Sequence, residues 1–156
     1  MFNSKTIFQK SYFLILAVVL SFSHHLRVQA TNIIKIAPRN ITQSLTIEGT
    51  SGGAVMAQEI AQTTTTTTGY CDGYVSSQPN HLLQLESFSQ LMRLEIASQA
   101  DTTIVIKGPG GVWCNDDSST TDPIIEGQWQ PGLYKVWVGS YQPNVENPYQ
   151  IKITGR

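Results

Sequence analysis

Asp101, Asn115, Asp116, Asp117 and Asp122 gather hard oxygen donors in one stretch of the chain. A calcium ion takes about 6 to 8 such ligands, so these five residues are a candidate calcium set. Their spacing fits no EF-hand loop and no glutamate closes the group. The competing reading is a solvated turn in which Asn and Asp bond their own backbone.

A second constellation is Gly49-Thr50-Ser51-Gly52-Gly53, a glycine-flanked serine of the kind that serves as a nucleophile when a histidine and a carboxylate support it. After residue 30 the chain has one histidine, His81, and Thr50 stands where serine proteases of this pattern have aspartate. The plainer reading is a loop whose glycines adopt positive φ at the end of a strand. A single histidine without other soft ligands makes no zinc site. Cys71 and Cys114 are the only cysteines, and an exported chain with two cysteines most often joins them. Closing that loop would stabilise the fold by about 4 kcal/mol in the chain-entropy picture. The alternative is a pair of buried thiols.

The aromatic set Trp113, Trp129, Trp137, Tyr134, Tyr141 and Tyr149 can pack a core or grip a ligand. If Tyr134, Val136 and Val138 point inward, alternation sends Trp137 outward beside Lys135, and Tyr141 follows in the next turn. Trp137 and Tyr141 are therefore the candidate binding contacts.

The elements that must position these residues are strands. Ser44 to Glu48 places Leu45 and Ile47 on one face, His81 to Leu85 places Leu83 and Leu85, and Leu91 to Ala97 places Met92, Leu94 and Ile96. Ile104 and Ile106 alternate with Thr103 and Lys107 before Gly108-Pro109-Gly110-Gly111 reverses the chain. Pro123 to Gln128, Leu133 to Val138 and Tyr149 to Ile153 complete the series. The run Thr63 to Thr68 lacks apolar partners, so residues 54 to 69 read as a flexible threonine-rich loop. With no convincing amphipathic helix, the pattern predicts an all-β fold, an antiparallel β-sandwich of about 7 to 9 strands.

The N-terminus carries Lys5 and Lys10, an apolar run from Tyr12 to Phe22, and Val28-Gln29-Ala30 at a cleavage site, which reads as a signal peptide over residues 1–30. The apolar run is about half the length a membrane span needs. Residues 31–43 read as an exposed leader, with a glycosylation sequon at Asn40-Ile41-Thr42. Residues 44–156 form the domain. After residue 30 the chain has seven Lys and Arg against eleven Asp and Glu, a formal charge of −4, with no clustered basic run. That argues against a nucleic-acid partner.

Taken in order, Gly49-Thr50-Ser51-Gly52-Gly53, Cys71-Asp72-Gly73-Tyr74, Pro79-Asn80-His81, Asp101-Thr102-Thr103, Gly108-Pro109-Gly110-Gly111, Cys114-Asn115-Asp116-Asp117, Gly127-Gln128-Trp129, Pro131-Gly132-Leu133-Tyr134 and Val136-Trp137-Val138-Gly139-Ser140-Tyr141 resemble the bacterial pre-peptidase C-terminal domain family from about Leu45 to Ile153. The resemblance implies a jelly-roll-like β-sandwich, commonly appended to secreted peptidases, used for substrate or surface binding and without catalysis of its own. This chain departs from the appended pattern in reading as a stand-alone copy. Some members bind calcium through an acidic N-terminal linker; here no carboxylate lies between Thr31 and Gln43, so that site is not carried over. The expectation is a secreted or periplasmic, non-catalytic binding module, possessing no certain cofactor other than candidate calcium, with an extracellular protein or polysaccharide as partner and no membrane span once the signal is cut. The alternatives are a small serine hydrolase or remnant using Ser51, and a structural envelope component.

Overall fold

The computed structural model describes residues 32–38, 44–118 and 121–155. The expected signal peptide and the Asn40 sequon lie outside the described residues.

Alternation of apolar and polar side chains builds two facing sheets. One contains β2 (Leu45–Thr50), β8 (Ser89–Ser98), β11 (Ile124–Trp129) and β13 (Pro148–Gly155) in the order β11-β8-β13-β2, all antiparallel. The other contains β1 (Ile33–Ile36), β3 (Val55–Met56), β6 (Tyr74–Val75), β7 (His81–Leu85), β9 (Thr102–Gly108), β10 (Gly111–Asn115) and β12 (Gly132–Ser140). Within it β12 is the hub, pairing β7 and β6 along one edge and β9 along the other, with β10 outside β9. The fold is an all-β sandwich.

The inward rows named from the sequence are the core. Met92, Leu94 and Ile96 of β8, Tyr134, Val136 and Val138 of β12, and Tyr149, Ile151 and Ile153 of β13 are all buried between the sheets with Leu83, Leu85, Ile104 and Ile106. Trp113, Trp129 and Tyr134 close one end as a ring cluster, with Trp129 and Tyr134 centroids 4.9 Å apart. Trp129 Nε1 donates to the Met92 carbonyl, and the Tyr134 hydroxyl to that of Gln130, so neither polar tip is orphaned.

Two expectations need correction. Residues 32–36 are more than a leader: β1 pairs in parallel with β7, and Ile36 is buried, so the second sheet is not purely antiparallel. Residues 54–69, expected as a flexible loop, contain β3, the helix α1 (Ala57–Ala61), β4 (Thr65–Thr66) and the start of β5 (Gly69–Tyr70). The threonines hold this excursion by side-chain bonds, because Thr66 and Thr68 hydroxyls both donate to the Cys114 carbonyl. Thirteen strands occur among the described residues; the four of two residues each, β3 to β6, account for the excess over the expected 7 to 9.

That excursion makes a second, smaller core on the outer face of the β12 sheet. Ala57, Ala61, Cys71, Val75, Val105, Cys114 and Trp137 are buried there, with Ile60 and Val112 packed against them. Cys71 and Cys114 form the expected disulfide, with Cα atoms 5.1 Å apart.

Candidate functional site

The disulfide organises one end of the sandwich. Asp72 follows Cys71 and Asp116 lies two residues after Cys114, so the bond draws two carboxylates from distant segments toward a common groove. Gly73, at φ 85°, accepts the Ala57 N–H through its carbonyl; a side chain there would press on Thr103 and the Ser140 carbonyl. This tight passage sets Asp72 and Tyr74 beside the start of α1. The groove, about 520 Å³, is lined by Met56, Gln58, Asp72, Tyr74, Asp116, Tyr141, Gln142 and Pro143 around Cys71. Tyr141 stands at its rim with 68% of its surface exposed, and Met56 is also exposed.

The turn that presents Tyr141 is anchored from beneath. Ser51 and Ser140 share a hydrogen bond of 2.8 Å, Asn147 donates its side-chain amide to Ser140 Oγ, and Ser51 N–H donates to the Asn147 carbonyl. Asn144 N–H donates to Gly53, and Tyr141 N–H to Asp101. Gly52 and Gly53 have φ of 96° and 152°, as the loop reading of this motif expected. Ser51 is therefore buried as a dock for the 141–147 turn. His81 instead bonds Tyr149 through Nε2 at 2.7 Å, and burial lowers its pKa. Burial likewise pushes the Tyr149 hydroxyl pKa upward. Ser51 and His81 each have other partners and share no hydrogen bond, so the nucleophile and base of the hydrolase alternative are not assembled.

The candidate calcium residues are only partly brought together. Asn115 is 7% exposed and its amide is consumed: Nδ2 donates to the Thr68 carbonyl at 2.7 Å and Oδ1 accepts from Ile124 N–H. Asp116 accepts from Asp117 N–H, an ordinary turn bond, and Asp122 accepts from the Thr102 hydroxyl. The Asp101 pKa is raised, first by desolvation and then by repulsion from Asp117, Asp116 and Asp122. The carboxylates thus feel one another, yet no group of three or more His, Cys, Asp or Glu among the described residues converges on a metal position.

Trp137 needs a correction too. Alternation does place it on the face opposite Tyr134, Val136 and Val138, but α1 and the disulfide cover that face and leave it 5% exposed. It is not the solvent-facing contact expected from strand periodicity. Tyr141 is exposed as expected. The signals sequence reasoning missed are Asp72, Tyr74 and Met56, which only the disulfide and the turn at Gly73 bring to Tyr141.

No helix among the described residues is long and apolar enough to cross a membrane. No family model matches the chain. An uncharacterized protein of Synechococcus elongatus is 28% identical over 88 residues, and the chain spans 65% of the length of that curated relative, using 54% of its own. Among solved structures, the pre-peptidase C-terminal domain of a collagenase from Bacillus anthracis is similar at a TM-score of 0.48 and 11% identity, over 81% of this chain and 98% of that one.

Proposed function

We propose that this chain is an exported, non-catalytic β-sandwich module that holds a polysaccharide in the groove beneath Tyr141. The observation that carries the reading is the pairing of an exposed tyrosine ring with carboxylates and amides in a single groove of about 520 Å³. A tyrosine face offers rigid apolar area to a sugar ring at little cost in side-chain freedom. Asp72, Asp116, Gln58 and Gln142 offer acceptors and donors for hydroxyl groups, the mix of apolar surface and a few polar groups that small-ligand grooves use. The acidic neighbourhood favours an uncharged polymer over an anionic one. The N-terminal signal pattern supports export, and the disulfide is compatible with it.

Affinity electrophoresis of the purified protein through gels containing neutral polysaccharides tests the reading. Retardation by at least one polymer, abolished by Tyr141→Ala with unchanged thermal stability, is the expected result. Equal migration of the two proteins in every polymer that retards the parent would overturn it.

A further inference from the structure

The outer face of the β12 sheet carries a second groove, independent of Tyr141. About 390 Å³ in volume, it lies where α1 ends and is walled by Ile60, Leu133 and Trp137, with Lys107, Lys135 and Glu59 at its polar edge. Lys107 and Lys135 are direct register partners on β9 and β12, so their ammonium groups leave the sheet side by side. Lys107 Nζ is held by the Ile60 carbonyl at 3.0 Å. Neither lysine has an ion pair among the described residues, although Glu59 shares the groove.

The groove's wall brings a second, unrelated signal. Trp137 Nε1 is the one buried side-chain nitrogen or oxygen without a hydrogen-bond partner among the described residues. Buried donors are normally paired, so an unpartnered indole N–H on a residue that lines the same groove as Lys107 and Lys135 leaves a donor for an acceptor with negative charge.

The same face extends the pattern. Lys35 of β1 is exposed and points outward, as Ile34 and Ile36 point in, and it lies across β7 from β12. Two strand spacings, about 10 Å, separate the β1 and β12 rows. A repeating anion laid across the strands meets lysines in succession, whereas a single chain end meets one.

We infer that this face is a binding site for acidic polysaccharide, with the carboxylate of one uronic acid unit seated between Lys107 and Lys135 and accepting from Trp137 Nε1. The indole nitrogen is covered in the free protein, so entry of the unit displaces the Glu59 or Ile60 side chain that shares the groove. The remaining units run over Leu133 toward Lys35. The lysines of this face are opposite in sign to the chain's net charge, which favours anions at this groove.

The test is titration of the ¹⁵N-labelled protein with oligogalacturonate, its methyl ester, and a short peptide with a free C-terminal carboxylate, following the Trp137 indole resonance assigned through its own side-chain correlations. Saturable movement with oligogalacturonate, little with the ester, and a tenfold or greater weakening in Lys135→Ala is expected, with Lys152→Ala on the other sheet unchanged. No movement of the Trp137 resonance, equal response to the ester, response to the peptide alone, or undiminished binding by Lys135→Ala would each overturn the inference. Lys135 is exposed, so its loss does not threaten folding.

Discussion

Replacing both Cys71 and Cys114 with alanine removes the bond that pins the 54–75 excursion to β10. The two positions are 43 residues apart. For a loop of that size the chain-entropy relation gives about 13 cal/mol/K, or about 4 kcal/mol at 25 °C. Alanine is the right replacement because both sites are buried, at 1% and 0% exposure, where serine would leave unpaired hydroxyls. For a domain of this size about 4 kcal/mol corresponds to a fall in Tm on the order of 15 °C. Thr66 and Thr68 still bond Cys114's backbone position in the variant, and Val105, Val75 and Trp137 still pack, so the protein is expected to fold cooperatively. Urea unfolding followed by tryptophan fluorescence, with the slope checked for constancy, measures the difference directly. A loss below about 1 kcal/mol would refute the reasoning, because the excursion would then be held by packing and threonine bonds alone.

Three further outcomes follow from the structure. His81 has its folded pKa lowered by burial, so the unfolded chain binds the proton more readily; the associated stability is intact above pH 6.5 and declines as pH falls from there toward the folded value. Urea midpoints measured from pH 8 to 5 should show that slope in the parent and a shallower one in His81→Gln. Adding calcium or a chelator should leave Tm unchanged, since Asn115 is committed to Thr68 and Ile124; a rise with calcium in a melting scan would contradict the turn reading. Gly139→Ala should destabilise by about 1–3 kcal/mol in urea unfolding, because its methyl group would sit 2.5 Å from the Tyr74 carbonyl oxygen and 2.6 Å from Thr103 Cγ2.

Much of the sandwich was legible because one buried face imposes a period of two. Met92-Leu94-Ile96, Tyr134-Val136-Val138 and Tyr149-Ile151-Ile153 read inward from the sequence and lie inward in the fold. Cys71 and Cys114, alone in the chain, could be paired without geometry. Trp137 was misjudged because periodicity gives the side of the sheet and not what covers it; the cover comes from a segment whose order depends on threonine bonds to Cys114 and on the disulfide. β1 was missed for a related reason, since four residues gain their place only from parallel pairing with a strand far along the chain. Of the candidate site, Tyr141 was visible as an aromatic in a turn. Asp72, Tyr74 and Asp116 join it through tertiary contacts, and Ser51 proved to be the anchor of that turn, a role its protease-like surroundings disguise.

The most direct measurement is amide chemical-shift mapping of the ¹⁵N-labelled protein with an oligosaccharide of whichever neutral polymer retards it. The account predicts that the largest shifts fall on Met56, Asp72, Tyr74, Asp116 and Tyr141 at the disulfide end. Shifts confined to the far end of the sheet, around Gly110, Trp129 and Gly132, or no saturable shift at all, would contradict it.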